Sequence, residues 1–125
     1  MTPGVFVLLA VAGGLGAGVR FVVDGLVRSR VRTEFPWPTA VINMSGSLLL
    51  GALTGLLVAH LVSSDVAAVV GTGFLGGYTT FSTASYETVQ LVRQRRYGLA
   101  FAYSLGILVA CVGLAWAGYS WGVAR

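Results

Sequence analysis

The chain contains no lysine, one cysteine, one histidine and only four acidic residues among its 125. Charged residues amount to 10% against 56% apolar ones, and the mean hydropathy is +0.84. So few polar side chains rule out an ordinary soluble domain. A lone cysteine, Cys111, excludes an internal disulfide, and no cysteine–histidine grouping suggests a zinc site. Cys111 lies in an apolar stretch and reads as a buried structural thiol. There is no Walker pattern, and the glycines of residues 13–18 neither form a G-x-G-x-x-G nor follow a strand, which speaks against a nucleotide site.

What remains is apolar chain in four long stretches, at about residues 4–27, 39–62, 66–92 and 98–123. Each holds at least the ~20 residues that a helix needs to cross the hydrocarbon core. The expectation is an all-α membrane protein, one domain over residues 1–125 with four transmembrane helices. Four short helices leave little room for a private aqueous path, so an oligomer is expected. The first stretch has no basic leader and reads as a retained helix rather than a signal peptide. Trp37, Trp116, Tyr119 and Trp121 fall near predicted helix ends, as an interfacial aromatic belt does. Small residues recur at four-residue spacing in Gly14/Gly18, Ser47/Gly51/Gly55 and Gly73/Gly77, a pattern that allows close helix contact.

The net charge of +4 is carried by arginine. Arg28, Arg30 and Arg32 lie between the first two stretches, and Arg93, Arg95 and Arg96 between the last two. In a four-span protein those loops share one side, six arginines against Arg125 on the other, with Arg20 inside a helix. The bias places both loops in the cytoplasm of a cell-membrane protein and both termini outside. Membrane topology accounts for these loops better than nucleic-acid binding does.

The segment Gly73-Phe-Leu-Gly-Gly-Tyr-Thr-Thr-Phe-Ser-Thr83 predicts a helix broken in mid-membrane. Backbone freed from helical hydrogen bonds survives at that depth only where it lines a cavity, binds an ion or packs on protein. Polar residues gather at comparable depth: Arg20, Asn43 and Ser47, then Thr79, Thr80, Ser82, Thr83, Ser85 and Glu87, then Tyr103 and Ser104. Such residues are costly in lipid and face a bundle interior or a watery path. Asn43 and Ser47, four apart, share a helix face. Amide, hydroxyl and guanidinium groups are donors and suit an anion. Phe81 adds a ring whose edge carries positive potential, a weak contact for a small anion. Glu87 stands near the arginine-rich end, where it serves a vestibule or caps a network.

At these residues the chain resembles the fluoride channels of the Fluc (CrcB) family. Three motifs carry the resemblance: Gly13-Gly-Leu-Gly-Ala-Gly-Val-Arg20, Asn43-Met-Ser-Gly-Ser-Leu-Leu-Leu-Gly51 and the 73–83 segment. It implies an antiparallel dimer with passive fluoride pathways along its interface. It also implies a structural sodium ion, not transported, held by the backbone carbonyls of Gly76 and Thr79 from each subunit. Asn43 and Phe81 would contact fluoride, and Thr80, Ser82, Ser47 and Tyr103 would extend the polar lining. Arg20 would attract anions or fix the fold.

The chain departs from the family pattern at Ala84, where a second phenylalanine is expected, and at Ile107 and Cys111, which interrupt a polar track beyond Tyr103. An antiparallel homodimer also calls for a small arginine bias. Together these departures suggest one half of a heterodimer with an oppositely oriented paralogue, in which one of two pores has decayed. Two rivals stand beside that reading: a non-conducting scaffold subunit, and a small multidrug transporter. The transporter needs a membrane carboxylate, for which Asp24 is the sole candidate on the first helix, and salt pairing with Arg20 or Arg28 suits Asp24 better. Enzymatic chemistry has little support, and His60, at the end of the second stretch, reads as an interfacial residue.

Overall fold

A computed structural model describes Met1–Arg125. The chain is helical throughout: α1 Pro3–Arg30, α2 Trp37–Val58, a composite α3 over residues 64–78, α4 Ser82–Arg93 and α5 Tyr97–Val123. Helices α1, α2 and α5 are each long and apolar enough to cross a membrane. The shorter α3 and α4 follow end to end, with residues 79–81 between them belonging to neither helix. Thr2 caps α1 by accepting from the Val5 N–H at 3.2 Å, with Pro3 in the first turn, where no N–H partner is needed.

The helices pair with partners of their own direction. α1 runs alongside α3, and α2 alongside α5, each pair closed by glycines rather than by interdigitating large side chains. A methyl group on Gly73 would come within 2.7 Å of the Leu9 carbonyl oxygen. One on Gly118 would lie 2.7 Å from the Ala52 nitrogen. Bare backbone is what allows this approach, and it matters most where no hydrophobic effect draws helices together. The α1 contact is made by Gly13 and Gly16, whereas Gly14 and Gly18 have nothing within 4 Å. Within the chain, the Gly14/Gly18 pair singled out by its four-residue spacing therefore takes no part in the α1–α3 contact. Residues Ala68–Leu75 of α3 wind as a π-helix, whose wider turns recur at functional sites.

Few side chains are enclosed. Only 19 of 125 residues are buried, so most apolar side chains point outward, as lipid or another subunit requires. One cluster gathers Ala40, Leu91, Ala100 and Tyr103, and a second gathers Ile42, Leu75 and Tyr78. Glu34 forms an ion pair with Arg96, which ties the α1–α2 connection to the α4–α5 connection. The two arginine-bearing loops thus lie at one end of the bundle.

α2 stops at Val58, short of the expected residue 62, because the chain reverses at His60 with φ 61°. The His60 N–H donates to the Leu57 carbonyl at 3.0 Å and the Leu61 N–H to the Leu56 carbonyl at 2.9 Å, a Schellman closure. A left-handed residue with a Cβ carries a penalty of about 1 kcal/mol that glycine avoids. His60→Gly should therefore raise the unfolding temperature in detergent slightly. A fall in stability would show that the exposed imidazole makes a contact outside the protomer.

Candidate functional site

The site begins where α3 gives way to α4. Thr79 is extended, with φ −79° and ψ 163°, so the helix cannot continue through it. The Thr79 N–H still reaches the Leu75 carbonyl at 2.9 Å, and its hydroxyl donates to the same oxygen at 2.9 Å. Of the next four helical donors, the first and the last are diverted to side-chain oxygens. The Thr80 N–H, which in a continuous helix would donate to the Gly76 carbonyl, donates to Asn43 Oδ1 at 2.9 Å. The Thr83 N–H, which would otherwise go to the Thr79 carbonyl, donates to Thr80 Oγ1 at 3.2 Å and caps α4.

Asn43 reaches this point from α2. Its Nδ2 donates to the Thr80 carbonyl at 2.7 Å, so the side-chain amide engages both backbone polar groups of Thr80. An amide nitrogen carries two hydrogens, and the second remains free to serve another acceptor. Gly46, one turn further along α2, makes room for the crossing chain, since a Cβ there would collide with the Thr79 methyl. Ser45 Oγ and Tyr78 OH lie 2.8 Å apart and pin the end of α3 to the same helix.

An open groove of about 380 Å³ runs from this break along α2, α4 and α5. It brings together Asn43, Ser47, Thr79, Thr80, Phe81 and Tyr103. No carboxylate, guanidinium or imidazole lines it; its polar groups are one amide and several hydroxyls. Ala84, Ile107 and Cys111 form its apolar stretch. Phe81 is 86% exposed, and Gly76 and Ser82 are exposed outside the groove. An exposed phenyl beside exposed interrupted backbone leaves this face in need of cover.

Tyr103 is buried, and its hydroxyl donates to Glu87 Oε1 at 3.2 Å. Glu87 lines a second, larger cavity of about 800 Å³ at the arginine-bearing end, with Arg28, Arg32 and Glu34 on its wall. The Tyr103–Glu87 bond thus separates a charged vestibule from a neutral groove. Arg28 is held by Asp24 at 2.8 Å. Arg20 lies half-buried on α1 and takes part in neither ion pair of the chain. Sequence reasoning missed the Ser45–Tyr78 link and the groove-lining Thr88, because isolated hydroxyls on apolar helices carry no signal of what they face. It also gave no hint that Asn43 bonds backbone 37 residues away.

Residues 7–119 match the family model described as CrcB-like protein, Camphor Resistance (CrcB). The fluoride-specific ion channel FluC 1 of Leifsonia xyli subsp. xyli is 49% identical over 115 residues, spanning 92% of this chain and 84% of its own. FluC 1 of Ligilactobacillus salivarius is 44% identical, over 88% of this chain and 96% of its own. FluC of Thermus thermophilus is 36% identical over 94% of each chain.

Proposed function

The chain belongs to the CrcB-like family, and on that footing we propose that it is a subunit of a fluoride-selective passive channel in the cell membrane. The observation that carries this reading is the groove, where an amide and hydroxyls converge beside Phe81 without any acid. Neutral donors replace part of an anion's hydration shell without the strong pairing that would trap it. The groove is open along one side, so a conducting path needs a second subunit, oppositely inserted, to close it. Cytoplasmic arginine loops set the orientation, with both termini outside. An inside-negative potential then drives a monovalent anion outward with ~2.3 kcal/mol per 100 mV, which makes the channel an exporter that lowers fluoride toxicity.

The diverted N–H groups support a sodium site as well. The Gly76 and Thr79 carbonyls lose their helical donors to Asn43 and Thr80 side chains. Carbonyl oxygen is a suitable ligand for a hard cation. A structural, untransported sodium ion held there supplies a fixed positive charge near the path. Arg20, outside both ion pairs, adds to the same field and helps to attract anions. Asn43 holds the break and keeps one amide hydrogen for the anion, Phe81 offers its edge, and Ser47, Thr80, Ser82 and Tyr103 extend the donor series. Glu87 fixes the Tyr103 hydroxyl at the vestibule.

The six-to-one arginine bias and the apolar Ala84, Ile107 and Cys111 favour pairing with an oppositely oriented paralogue, in which one of two pores is closed. Fluoride efflux from liposomes, with chloride as control and sodium varied, tests both levels. The chain alone should give little flux, and adding the paralogue should restore it. Robust flux from the chain alone would overturn the pairing while keeping the channel. No flux in any combination, nor after Ala84→Phe, would favour a non-conducting scaffold. The multidrug-transporter reading loses its acid, because Arg28 already neutralises Asp24.

A further inference from the structure

We infer that the side chains of Asn43 and Thr80 create the cation site by diverting two backbone N–H groups, so that Asn43 acts as a positioning residue as well as a lining group. The inference deepens the sodium reading above and rests on it. In an uninterrupted helix, Thr80 N–H would saturate the Gly76 carbonyl and Thr83 N–H the Thr79 carbonyl. Each of those donors has instead a side-chain oxygen as partner, Asn43 Oδ1 at 2.9 Å and Thr80 Oγ1 at 3.2 Å.

The two diversions are coupled through one residue. Asn43 clamps the Thr80 peptide groups from both sides, with its Nδ2 on the Thr80 carbonyl at 2.7 Å. The Thr80 hydroxyl then donates onward to Thr83 Oγ1 at 3.1 Å while accepting the Thr83 N–H. The Thr80 and Thr83 N–H groups are thereby satisfied, as backbone at membrane depth requires. Of the carbonyls that lose helical donors at the break, those of Gly76 and Thr79 are the two whose donors have found side-chain oxygens. Without the side-chain oxygens, the Thr80 and Thr83 N–H groups would be left to compete with a cation for the Gly76 and Thr79 carbonyls.

The test is sodium-dependent thermal stabilisation of the purified protein in detergent, in the assembly that shows sodium-dependent flux, with potassium as the control cation. Thr80→Val keeps the shape of the side chain and removes the acceptor; Thr80→Ser keeps the acceptor. The sodium concentration giving half the stabilisation should rise about tenfold or more in Thr80→Val, equivalent to ~1.4 kcal/mol or more, and return towards the native value in Thr80→Ser. Asn43→Leu should shift it in the same direction. A native sodium midpoint in a folded Thr80→Val would overturn the inference and leave the sodium site standing. Absence of any sodium effect on the unsubstituted protein would overturn the sodium reading and this inference with it.

Discussion

Gly16→Ala is expected to break the contact between α1 and α3 and to lower the unfolding temperature by roughly 10 °C. The added methyl would meet the Phe74 carbonyl oxygen well inside contact distance, with Phe74 C at 2.9 Å and Tyr78 N at 3.0 Å. All three are backbone atoms, so no rotamer change can relieve the clash. Overpacking costs ~1–3 kcal/mol where side chains can yield, and a backbone neighbour places this site at the upper end or beyond. Gly77→Ala should behave alike, because its methyl would strike Gly13 with C at 2.9 Å and Cα at 3.0 Å. The consequence is functional as well as structural, since Tyr78 follows directly and leads into the break.

Gly14→Ala and Gly18→Ala are the built-in controls. Nothing lies within 4 Å of either position, and alanine improves helix propensity by up to about 1 kcal/mol. Unfolding should therefore shift upward or not at all. A loss at Gly14 comparable to that at Gly16 would mean that another subunit lies against that face. Thermal unfolding of the purified protein measures all four variants on one scale.

That contrast also shows what the sequence could and could not convey. Apolar length and arginine placement made the membrane helices legible, because lipid imposes a composition on every residue that faces it. The four-residue recurrence of glycine made close packing legible but not its face, since Gly13, Gly14, Gly16 and Gly18 surround α1 and only contact distinguishes them. The polar cluster was visible as a set, and the groove brings most of it together. Ser82 was drawn in by adjacency to Thr80, yet it lies exposed outside the groove, its hydroxyl 3.4 Å from that of Thr80. Asn43 could be recognised as important from its depth. Its bond to Thr80, across a separation of 37 residues, depends on how α2 crosses the end of α3, and no local pattern encodes that crossing.

Asn43→Asp should reduce fluoride flux by about three orders of magnitude, a larger effect than removal of the side chain in Asn43→Ala. Asp retains an oxygen for the Thr80 N–H, now 2.9 Å from Asn43 Oδ1. Its second oxygen replaces Nδ2, which donates to the Thr80 carbonyl at 2.7 Å, and two acceptors would then face each other. The carboxylate also puts a fixed negative charge on a groove that has no acid of its own. Two like charges ~4 Å apart repel by about 4 kcal/mol at an effective dielectric of 20, which is roughly a thousandfold in rate. Asn43→Ala loses the clamp but adds no charge, so a deeper loss in Asn43→Asp, which keeps one of the two bonds, points to the added carboxylate. Flux is measured in liposomes under the subunit combination that conducts, with binding of the variant to its partner checked by co-purification. Equal flux in Asn43→Asp and the native protein would remove this groove from the conducting path, because an anion passing within a few ångströms of position 43 cannot be indifferent to that charge.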